Sequence, residues 1–119
     1  MIKISVDESF AFDMLSILEV KNARIKDGQK NLSVRNSLTK LGQEIICSVG
    51  YTKFLQIRDS DEYRALLNAN YETFDLVEAA RNGPEGLAKD ADAANLKRFE
   101  AKKEIQEKFF GGANTEIKS

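Results

Sequence analysis

Two pairs of carboxylates stand three residues apart, Asp75 with Glu78 and Glu104 with Glu107. On a helix, side chains at i and i+3 share a face, so each pair presents hard oxygen ligands side by side. Two such pairs turned toward each other would hold Mg²⁺, and the ion would position a phosphate chain for hydrolysis. Close by, Lys97, Arg98, Lys102, Lys103 and Lys108 have the composition of a phosphate-binding patch. They are interleaved with Glu100, Glu104 and Glu107, and several of these opposite charges stand three or four residues apart, the spacing of surface ion pairs on a solvated helix.

The rest of the sequence narrows the chemistry. There is no histidine, which removes Cys-His catalysis and His-ligated zinc, haem or di-iron sites. There is no Gly-rich phosphate loop, no Gly-x-Ser-x-Gly turn and no Cys-x-x-Cys. The single cysteine, Cys47, sits among Ile45, Ile46 and Val49 and reads as a small buried hydrophobe. Eighteen basic and nineteen acidic residues leave a net charge of −1, which argues against general affinity for nucleic acid or anionic lipid. With 119 residues, 42% hydrophobic and 31% charged, the chain reads as one domain. No apolar run approaches a membrane span and no secretory signal is visible, so a cytoplasmic location is expected.

The elements that would position these groups are helical. Between Phe10 and Val20 the polar residues Asp13, Ser16 and Glu19 recur every third position, forming one narrow strip on a helix otherwise covered by Phe10, Phe12, Met14, Leu15, Ile17, Leu18 and Val20. A helix apolar on so many sides must be covered on several sides, which makes it the centre of the domain. It should start near Glu8, capped by Asp7 or Ser5, and end at Asp27-Gly28, with Gly28 in the left-handed conformation. A second helix, carrying Val34, Leu38, Leu41, Ile45 and Val49 on one face, should fold back against it to about residue 49. Residues 45–57 fit either a helix weakened by Gly42 and Gly50 or a short strand.

Ser60, followed by Asp61 and Glu62, signals a third helix whose buried face holds Tyr63, Leu66, Leu67, Phe74 and Val77. Asn70 falls on that face and needs partners. The run Asn82-Gly83-Pro84 stops this helix, and a last one runs from about Ala91 to Phe110, ended by Gly111-Gly112. Phe109 and Phe110 read as the edge of the core or a dimer contact. Residues 2–6 and 115–118 alternate in hydrophobicity and would pair as two short strands. The expected fold class is therefore mainly α, four helices around the first, with a two-stranded pairing of the termini.

The segment D-M-L-S-I-L-E-V-K-N-A-R-I-K-D, residues 13–27, resembles the opening of an uncharacterised bacterial and phage domain family, D-K-L-T-I-L-E-I-K-x-x-R-I-x-D. The likeness continues through Lys30, Val34, Arg35 and Leu38, then Leu66, Asn70 and Phe74, and into the last helix and tail. Met14 and Ser16 stand where the family carries Lys and Thr. The resemblance implies a compact helical domain and supplies no chemistry.

Three functions of different classes fit. The leading one is a non-enzymatic interaction or assembly domain without a cofactor, in which apolar surface left over on the first helix, joined by Phe109 and Phe110, is buried against an identical copy as a homodimer or against a protein partner. The second is an Mg²⁺-dependent enzyme on Asp75, Glu78, Glu104 and Glu107, in the manner of all-helical nucleotide pyrophosphohydrolases. The third is anion or nucleic-acid binding through the last helix.

Overall fold

The computed structural model describes residues 6–82 and 87–111, and among them five helices follow one another: α1 Glu8–Arg24, α2 Gly28–Val49, α3 Tyr51–Arg58, α4 Asp61–Asn82 and α5 Leu87–Phe110. The fold is mainly α, with one helix more than the periodicity suggested. The additional helix is α3, separated from α2 by Gly50. At φ +92° Gly50 lies where side-chain-bearing residues are strained, and its surroundings are open, so conformation rather than space demands glycine there. It serves both helices, donating its N–H to the Ile46 carbonyl (2.8 Å) and accepting from the Phe54 N–H (3.0 Å).

The hairpin of α1 and α2 is closed by residues other than those expected. Helix α1 ends at Arg24, and Ile25 follows in extended conformation. Gly28 is the first residue of α2 rather than a left-handed terminator of α1. Asp27 is the reason: its carboxylate accepts from the Lys30 N–H at 2.9 Å, satisfying one of the free amides at the start of α2. Asn31 then ties the turn together, its Nδ2 donating to the carbonyls of Asn22 (2.9 Å) and Ile25 (3.2 Å). At the other end of α1, Asp7 occupies the N-cap position without a side-chain cap bond, and its buried Oδ1 has no hydrogen-bond partner among the described residues. Ser5, the other candidate cap, lies outside the described residues.

Helix α1 is central. Phe12, fully buried, has the rings of Phe54, Tyr63 and Phe110 around it at centroid distances of 6.1, 6.2 and 6.3 Å. Leu15, Ile45, Ile57, Leu66, Ala101 and Ile105 complete the surrounding core, with Phe109 packed at its edge. Helices α4 and α5 run antiparallel, pinned across their seam by Lys108 with Glu62 (2.9 Å) and Lys97 with Glu72 (3.5 Å). Ser60 starts α4 as its sequence signals, accepting from the Tyr63 N–H at 3.1 Å. Gly111, at φ +76°, ends α5.

Two side chains, Cys47 and Val77, lie elsewhere than the sequence placed them. Cys47 is exposed, because it follows Ile45 by two residues, about 200° around α2, and so faces away from α1. Val77, expected in the core, is exposed beside a cleft. Phe12 belongs to the core, and the apolar residues of α1 left at the surface are Phe10 and Met14. Residues 2–5 and 115–118 of the proposed strand pairing, the 83–86 turn with its proline and Gly112 lie outside the described residues, within which no strand occurs. Among the described residues no helix is long and apolar enough to cross a membrane.

Candidate functional site

The polar strip of α1 points inward. Asp13 is 1% exposed and Ser16 fully buried, while Phe10 and Met14 on an adjacent face meet solvent. A buried carboxylate requires a cation and hydrogen-bond donors, and both arrive from the neighbouring helices. From α5, Arg98 grips Asp13 with Nε at 3.0 Å from Oδ1 and Nη2 at 2.6 Å from Oδ2. From α4, Asn70 donates through Nδ2 to the same Oδ1 (3.1 Å) and to Ser16 Oγ (2.6 Å). Ser16 in turn donates to the Asp13 carbonyl at 2.7 Å. Three helices thus meet in one hydrogen-bonded knot. The bonds to Asp13 push the Arg98 pKa above its ordinary value, against the opposing effect of burial.

Glu19 continues the strip and is held differently. Tyr63 donates its hydroxyl and Arg58 its guanidinium to this carboxylate. Burial, followed by the charge and hydrogen bond of Glu19, raises the Tyr63 pKa far above the usual phenol range. Tyr63 is therefore a fixed donor.

Beside the Asp13 knot lies a cleft of about 290 Å³ between α1, α4 and α5. Ile17 and Val20 from α1 and Phe74 and Val77 from α4 make its apolar walls, with Asn70 and Arg98 as its polar lining. Lys21 and Glu78 also border it. Sequence reasoning identified Asn70 as a buried amide in need of partners but placed Arg98 in a surface basic patch. The signal for their meeting was the Asp13-Ser16-Glu19 strip itself, since polar residues confined to one line of an apolar helix can face a polar interior as well as solvent.

The four carboxylates proposed for Mg²⁺ occupy separate positions. Asp75 is bonded by both guanidinium nitrogens of Arg24 at 2.9 Å, which hold it below the ordinary carboxylate range. Glu78 borders the cleft, Glu104 is exposed, and Glu107 lies 3.9 Å from Lys103. In the antiparallel register set by Glu62–Lys108 and Glu72–Lys97, Glu104 lies opposite the first turns of α4, about ten residues or roughly 15 Å along the helix from Asp75. Among the described residues no three Asp, Glu or Cys side chains gather around a point that could hold a metal ion. The basic residues of α5 are similarly dispersed: Lys97 and Lys108 reach α4, Arg98 reaches Asp13, Lys103 reaches Glu107, and Lys102 sits 6.0 Å over the Phe10 ring.

No protein-family model, curated protein or solved structure matches the chain.

Proposed function

We propose that the chain is a small non-catalytic interaction domain that self-associates through the outer face of α1. The observation that carries this reading is the pair Phe10 and Met14, one helical turn apart and 45% and 41% exposed on the helix that forms the centre of the core. Large apolar side chains stacked on one face are costly to leave in water, and a two-fold contact would bury both copies of the stripe at once. Phe99 and Leu96 on α5 add exposed apolar surface, as does Leu32 on α2. The interior ionic groups support the same reading, because Asp13 with Arg98 and Glu19 with Arg58 are committed to each other in structural pairs.

Sedimentation equilibrium at tens of micromolar protein tests the proposal. The expected result is a dimer that the double variant Phe10→Asp, Met14→Lys converts to a monomer with unchanged helical circular dichroism. A monomer at every concentration would overturn it.

A further inference from the structure

The cleft between α1, α4 and α5 has a polar end that its own residues do not fully satisfy. The orientation of the Asn70 amide is fixed by its partners: Ser16 Oγ spends its proton on the Asp13 carbonyl, so the group facing Ser16 and the Asp13 carboxylate must be the donor, Nδ2. Asn70 Oδ1 is consequently turned the other way and accepts from no described residue, although Asn70 is 5% exposed and lines the cleft. Arg98, which also lines the cleft, uses Nε and Nη2 on Asp13, and its Nη1 bonds to no described residue. Because Asn70 and Arg98 share Asp13 Oδ1, their bonded nitrogens lie no more than about 6 Å apart.

An acceptor and a donor without a described partner therefore both belong to residues that line the apolar slot. Asp13 matches the Arg98 charge, and Lys21 and Glu78 at the border are one charge of each sign, so the lining as a whole carries no net charge and calls for a neutral head rather than an anion. We propose that the cleft binds a small neutral amphipathic molecule whose head carries an N–H and a C=O on the same side, a primary amide or a lactam, with the N–H on Asn70 Oδ1, the C=O on Arg98 Nη1 and an alkyl body between Val20, Phe74 and Val77. A space of about 290 Å³ suits a ligand of about ten non-hydrogen atoms.

The test is a nuclear magnetic resonance titration of the full chain with hexanamide, hexanoate and hexylammonium. The amide is expected to shift the Asn70 side-chain amide, the Arg98 guanidinium and the methyls of Ile17, Val20 and Val77 saturably, with both charged analogues at least about tenfold weaker. Val77 is 41% exposed, so Val77→Trp can fill the slot without disturbing the core. This variant should keep the helical spectrum and lose amide binding. Shifts that never saturate, hexanoate binding as tightly as the amide, or amide binding that persists in Val77→Trp would each overturn the assignment.

Discussion

Helices α2 and α4 are both 22 residues long, yet they are held in different ways. Helix α4 buries Tyr63, Leu66, Ala69 and Asn70 and is tied to α1 and α5 by charged and polar side chains. Helix α2 buries one residue, Ile45, and otherwise rests half-covered Val34, Leu38 and Leu41 against its neighbours. Its ends are nevertheless well formed, with Asp27 at one and Gly50 at the other. Since tertiary packing supplies most helical stability in proteins, good caps define where α2 starts and stops without making it as firm as α4. The chain thus has a bundle of α1, α4 and α5, with α2 as an arm that packs along α1 mainly through half-covered side chains.

Matched truncations probe that contrast most strongly. Leu66→Ala, at a fully buried position of α4, is expected to cost about 4 kcal/mol, whereas Leu38→Ala in the half-covered face of α2 should cost about 1 kcal/mol. Urea unfolding measures both, and equal costs would erase the distinction between arm and bundle. Next in size is the knot within the bundle. Asp13→Ala leaves the Arg98 guanidinium and the Asn70 amide without their shared acceptor, for a loss of about 3 kcal/mol, toward the low end of such deletions because the Arg98 side chain is 32% exposed. A loss below about 1 kcal/mol would mean that Arg98 simply turns to solvent.

The alkaline limb of stability sharpens the picture where α1, α3 and α4 meet. Burial raises the Tyr63 pKa, so above about pH 10 the folded chain retains a proton that the unfolded chain releases. Stability from this group is complete below about pH 10 and falls as pH rises further, by about 1.4 kcal/mol per pH unit. Denaturation midpoints followed from pH 9 to 11 should show this slope in the native sequence and lose it in Tyr63→Phe.

Local signals placed the starts of α1 and α4, whereas α5 begins at Leu87, four residues before the expected Ala91. Ser60 opens α4 as read, because cap chemistry is decided within three or four residues, and α1 starts at Glu8 as read although Asp7 makes no side-chain cap bond. The Asp27-Gly28 pair was misread because both a helix end and a helix start use that dipeptide, and only the extended conformation of Ile25 decides between them. The central role of α1 was legible, but its orientation was not. On a helix apolar over most of its circumference, periodicity cannot tell whether Phe10 or Phe12 faces inward, and the decision here rests on Asn70 and Arg98, more than fifty residues away in sequence. Asn70 itself was recognisable, since a polar residue on an apolar face must be paired when buried. Arg98 was hidden among four lysines that look the same in sequence and go to different neighbours.

The knot at Asp13 has a bearing on the hand of the bundle. A mirror arrangement, with α4 and α5 exchanged about α1, would cover much the same amount of carbon, because apolar packing is nearly indifferent to left and right. It would not bring a cation to Asp13, since Asn70 and Arg98 approach this one carboxylate from different helices. The wrong-handed bundle would seal an unmatched charge inside, a penalty that no amount of alternative leucine contact removes. Three side chains thereby select one of two opposite-handed ways of stacking the same helices.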